Sequence, residues 1–159
     1  FCLEWNESLI LGSKNTYGAT VSDGAITGGN GAINGSDPIC NQTAWLYTEY
    51  LSGNTFGIAD VNKRAAYVQE AIWLYEEERT TQSWSSTTDI IAMANAAVAG
   101  GYTNKNVKVL NIMYPDGITL GQDVLVIVPV PGAILLGGLG VSLVGWLRMK
   151  KVCNIKKQF

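Results

Sequence analysis

A run without one charged residue, from Val124 to Leu147, constrains this chain more than any other feature. It ends abruptly in Arg148, Lys150 and Lys151. At about 1.5 Å per residue the run would span about 36 Å as a helix, against about 30 Å for the hydrocarbon core of a bilayer. Pro129 and Pro131 break it, so the sequence predicts a strand ending near Val128 and a helix starting near Pro131. Gly137, Gly138, Gly140 and Gly145 would weaken a soluble helix but are tolerated in lipid, and Trp146 falls at interface depth. The alternatives are a helix buried in its own domain or packed between subunits. The basic end favours the membrane.

Charge divides the chain at the same place. Up to Pro131 six basic residues face all thirteen acids, a balance of −7, while the last five basic residues give the tail +5. A cationic block after an apolar run is what the cytoplasmic side of a membrane selects. The acidic body repels phosphate, which excludes nucleic acid as a partner. The chain has no His. Ser/His/Asp and Cys/His catalysis are thereby excluded, and nothing argues for a turnover enzyme, a metal or a cofactor. The three cysteines, Cys2, Cys40 and Cys153, lack CxxC spacing, and an odd count leaves at least one thiol unpaired. Cys153 lies past the basic block and is expected to stay a free thiol.

The segment VPVPGAILLGGLGVSLVGWLRMKK resembles the PEP-CTERM sorting signal: Pro129 and Pro131 followed by Gly132, a Gly/Leu-rich helix, and a basic end at Arg148, Lys150 and Lys151. It departs from the usual pattern at Val130, where Glu is commonest, and in the extra residues 152–159. The resemblance implies export, transient anchoring in the inner membrane, and processing by the membrane protease exosortase. It divides the chain into an extracellular body (1–128), a sorting helix (129–151) and a short basic tail (152–159). The start at Phe1, without Met, suggests a processed product or a fragment.

Within the body, Phe1 to Trp5 reads as a strand, and Asn15 to Gly35 as loops and short hairpins broken by Asp23-Gly24, Gly28-Gly29, Asn30-Gly31 and Asn34-Gly35. Asp37-Pro38 reads as the cap and first turn of a helix running through Ala44-Trp45-Leu46-Tyr47 to Ser52-Gly53. A second helix, from Asp60 or Asn62 to Glu78, carries the apolar stripe Ala65, Val68, Ile72 and Tyr75. A third covers Thr88 to Ala99. Val107 to Tyr114 and Gln122 to Val128 read as strands joined by the Pro115-Asp116-Gly117 turn. The expected fold is α+β: a small sandwich- or barrel-like body with two or three short helices, plus the C-terminal apolar helix.

Two segments of the body stand out, Phe1-Cys2-Leu3-Glu4 and Tyr67-Val68-Gln69-Glu70-Ala71-Ile72-Trp73. They resemble the two signature pieces of thioester domains in bacterial surface adhesins, and together with Ala44-Trp45-Leu46-Tyr47 they resemble a recurrent group of PEP-CTERM proteins. The resemblance implies that the Cys2 sulfur bonds to the side-chain carbonyl carbon of Gln69 with loss of ammonia, shielded by Phe1, Tyr67 and Trp73. Such a bond would acylate an amine on a surface or matrix molecule, or on a neighbouring copy of the chain. Helical spacing agrees: Gln69 follows Val68, with Trp73 one turn on, and so borders the apolar face.

Rival readings use the same residues. A Cys2–Cys40 disulfide would consume the same sulfur and would contribute about 3–4 kcal/mol. Glu76-Glu77-Glu78 reads as a solvated helix end before it reads as a calcium site, and Asp116 and Asp123 as turn residues. Trp45, Tyr47, Trp73 and Tyr75 could stack sugars but sit at core spacing. A different class of function also fits, a structural subunit of an extracellular filament, layer or biofilm matrix, with the apolar helix packed between subunits.

Overall fold

A computed structural model describes residues 1–5, 7–10, 16–26 and 35–129. Their order is β1 (Gly18–Ser22), β2 (Gly24–Ile26), β3 (Ser36–Pro38), α1 (Asn41–Leu51), α2 (Val61–Tyr75), α3 (Ser85–Ala99), β4 (Val107–Met113) and β5 (Val124–Ile127). The fold is α+β. An antiparallel sheet runs in the order β1-β4-β5, and β2 and β3 form a separate ribbon. This open sheet and ribbon replace the sandwich- or barrel-like body that the sequence suggests. Helices occupy the place a second sheet would take: Leu46, Val68, Ile72 and Ile90 share one core with Val107, Val109 and Leu125.

Local chemistry explains where the helices begin. Asp60 caps α2, accepting from the amides of Asn62 and Lys63 at 2.9 and 3.0 Å. At α1 the expected cap moves. Asp37 and Pro38 belong to β3, pressed so close to Gly24 that a Cβ there would lie 2.5 Å from the Asp37 carbonyl oxygen. The cap is instead Cys40, whose sulfur accepts the Thr43 amide at 3.4 Å. α3 starts at Ser85, a turn earlier than its apolar pattern suggests.

α2 also ends early. Glu77 adopts φ 60°, which no helix continues. Glu76-Glu77-Glu78 is therefore not a solvated helix end. Glu76 is buried and accepts the Cys40 amide at 3.2 Å, and Glu78 accepts the Trp5 amide at 3.2 Å.

Pro131, Gly132, Arg148, Lys150 and Lys151 lie outside the described residues, of which Pro129 is the last. No helix among the described residues is long and apolar enough to cross a membrane.

Candidate functional site

The segment Phe1–Leu3 lies along the free edge of β5. Cys2 bridges Val124 in antiparallel register. The Leu3 amide donates to Asp123 O at 3.0 Å and the Leu125 amide to Phe1 O at 3.1 Å. In that register the Cys2 amide and carbonyl face away from β5, and at a bare edge they would meet only water. Gln69 meets them instead. The Cys2 amide donates to Gln69 Oε1 at 2.9 Å, and Gln69 Nε2 donates to Cys2 O at 2.7 Å. The carboxamide closes the sheet edge as a one-residue strand would. Two residues 67 positions apart, singled out by sequence, are thus joined side chain to main chain.

α2 sets this up by its periodicity. Val68, Ala71 and Ile72 are fully buried. Gln69 stands at the border of that stripe, where a helix can present a polar side chain to a neighbouring strand. Phe1 and Leu3 face the core, and Phe1 packs edge-on against Tyr47 and Tyr50, with centroids 6.1 and 4.8 Å away. Trp73 packs edge-on against Trp5 at 4.6 Å. Tyr67 packs against the same core, and its ring lies tilted against Trp84 with centroids 5.4 Å apart.

The arrangement has a definite chemical meaning. An amide proton on Oε1 polarises the carbonyl and stands where it could stabilise an oxyanion if sulfur attacked Cδ. The thiol itself is not activated. Burial pushes the Cys2 thiol above its ordinary value; the terminal amine's positive charge opposes this, and Glu4 reinforces it. Thiolate is the nucleophilic form of cysteine, and this burial disfavours it.

No disulfide joins Cys2 to Cys40. Cys40 is committed to capping α1, and burial with the neighbouring Glu76 pushes its thiol to about 11.

Two groups of acids escaped sequence reading. Glu70, beside Gln69, is fully buried and bonded to Arg79 at 3.3 Å, the Ser83 amide at 2.6 Å, the Trp84 amide at 3.3 Å and Thr87 Oγ1 at 2.6 Å. Burial would raise its carboxyl, yet these donors more than offset that and hold it below the usual carboxylate range. Asp123 is no turn residue: it is buried and accepts the Ile112 amide at 3.0 Å and the Ile26 amide at 3.2 Å. Glu4 is buried too, with Oε1 lacking a hydrogen-bond donor. Burial, then the charges of Asp123 and Glu7, push its carboxyl up to about 8. The available signal was an acid inside an apolar strand pattern, at Glu4 after Phe1-Cys2-Leu3 and at Asp123 before Val124. Asp116 is the turn residue expected, accepting from the amides of Ile118 and Thr119 at 3.0 and 2.8 Å.

The aromatics behave as core. Trp45, Tyr47 and Tyr75 pack against the buried cluster, and the Tyr75 hydroxyl donates to Ile91 O at 2.9 Å. Among the described residues no group of three or more candidate ligands could hold a metal ion. Comparison with family models, curated proteins and solved structures finds no match.

Proposed function

We propose that this chain is an exported cell-surface or matrix protein that tethers itself covalently through a Cys2–Gln69 thioester. The supporting observation is the two-point hydrogen bonding of the Gln69 carboxamide to Cys2, which holds the acyl carbon beside the residue that carries the nucleophile. In forming the bond, the thiolate attacks Cδ, the C–N bond breaks, and nitrogen leaves as ammonia carrying the thiol proton. An amine later attacks Cδ, the C–S bond breaks, and the amine's proton goes to the Cys2 sulfur. Each molecule acts once, which separates a tether from a turnover enzyme. Export and the sorting role of residues 129–151 rest on the sequence alone. Treatment with methylamine followed by peptide mapping tests the chemistry. The expected product carries methylamide at Gln69 and one new thiol at Cys2; unmodified Gln69 after prolonged treatment refutes the tether.

One observation supports a structural subunit instead. Among the described residues β1 is the outer strand of its sheet, with Val21 exposed, and a sheet edge is a site for pairing between copies. Negative-stain images of concentrated protein separate the readings, because a subunit forms polymers without any amine present.

A further inference from the structure

We propose that Arg79 is a positioning residue of this site: it holds Trp5, and through Trp5 it keeps the Cys2 main chain in register with Gln69. The chemical consequence rests on the thioester reading; the docking of Cys2 does not.

The Phe1–Leu3 edge is short. It has one bridge, Cys2 to Val124, and two ladder bonds to β5. An edge so brief opens easily unless something beyond it is fastened. Past Leu3, Gln122 Nε2 donates to Glu4 O at 2.7 Å, and the Trp5 amide donates to Glu78 Oε2 at 3.2 Å. Burial does not fix the Trp5 ring, which is 53% exposed. Contacts do. Trp73 meets it edge-on at 4.6 Å, and the Arg79 guanidinium lies over it, 4.7 Å from the centroid.

Arg79 is itself held at several points. The chain turns back after α2 with Glu77 at φ 60°, and the Arg79 amide donates to Trp73 O at 3.1 Å. Nη1 donates to Glu70 at 3.3 Å and Nη2 to Ser83 Oγ at 3.0 Å, which fixes the guanidinium that covers Trp5. A lysine cannot reach Glu70 and Ser83 through separate nitrogens while covering an indole. An ion pair with Glu70 alone would account for the charge of Arg79. It would not account for the second partner or the seat over Trp5.

These contacts close a ring. Glu70 follows Gln69 on α2, and Trp73 lies one turn on. Cys2 and Trp5 are three residues apart, at most about 10 Å of chain. The helix turn that presents Gln69 to Cys2 thus also anchors the cation that holds Trp5. Slack at Trp5 is transmitted to Cys2, where hydrogen bonds of 2.9 and 2.7 Å tie the main chain to the carboxamide.

The test uses the full chain carrying Cys2→Ala, which keeps the main chain of residue 2 and cannot form a thioester. Native-state amide exchange is followed at residue 2, at Leu3, and at Ile72 inside α2 as the reference for global opening. Arg79→Lys keeps the charge beside Glu70. It should lower protection at residues 2 and 3 about tenfold, with a smaller change at Ile72. Trp5→Leu leaves the donors to Glu70 in place and should give the same local loss. The two substitutions together should do no more than either alone. Unchanged protection at residues 2 and 3 in either variant, or losses that only follow Ile72, overturns the proposal. With Cys2 restored, Arg79→Lys is expected to lower the fraction of chains that lack one ammonia by intact mass. An equal fraction would overturn the role of Arg79 in the reaction. If no chain lacks ammonia while the exchange result holds, the tether fails and the positioning of Cys2 by Arg79 stands.

Discussion

Gln69 and Glu70 are neighbours on α2, yet they serve opposite ends. Glu70 sits under the loop leading to α3, where four donors surround it and its negative charge is welcome. Gln69 faces the Phe1–Leu3 edge, where the nearby acids Glu4 and Asp123 are pushed up and Glu4 Oε1 has no donor. One side of the helix is a satisfied polar network that locks a loop. The other holds a neutral carboxamide against the Cys2 main chain, on a segment whose Glu4 keeps one buried carboxyl oxygen without a donor. A buried polar group surrounded by donors stabilises a fold, whereas one held in deficit is available for chemistry.

That contrast is open to attack by substitution. Glu70→Ala should cost the most, about 3 kcal/mol or more by urea unfolding, because it strips Arg79 and several amides of their acceptor at once. A loss under about 1 kcal/mol would mean the network is not structural. The next largest effect is on pH. Glu4 binds its proton more tightly folded, up to about 8, than unfolded at about 4.3, so its contribution is complete at acid pH and lost as pH rises through about 8. Glu7 and Asp123 are shifted the same way, mainly by burial. The thermal midpoint should fall between pH 5 and pH 8, and Glu4→Gln should flatten the profile; a midpoint that rises with pH contradicts the deficit.

Gln69→Leu removes both hydrogen bonds to Cys2 and should cost about 2 kcal/mol, less than Glu70→Ala. Cys40→Ala, which touches only the α1 cap, should cost about 0.5–1 kcal/mol and leave any amine adduct unchanged. If that variant abolishes the adduct, the two thiols have been assigned the wrong way round.

Much of this was legible in sequence, because it follows from period and punctuation. The α2 stripe, the Asp60 cap, the end of α3 at Ala99 and the two C-terminal strands of the body are local signals. So was the pairing of Cys2 with Gln69, though only through the motif each belongs to. The misplaced features are non-local. Asp37-Pro38 looks like a helix start until β2 claims it, and Glu76 looks solvated until Cys40 packs against it. Closure of the sheet by helices rather than by strands depends on how elements meet, which periodicity does not encode.

The most direct test is the intact mass of freshly purified protein before and after hydroxylamine. The tether predicts a chain lighter than its sequence by one ammonia, restored to a hydroxamate at Gln69 with a single new reactive thiol at Cys2. A chain at its full sequence mass, with Cys2 alkylated at once under native conditions, contradicts it.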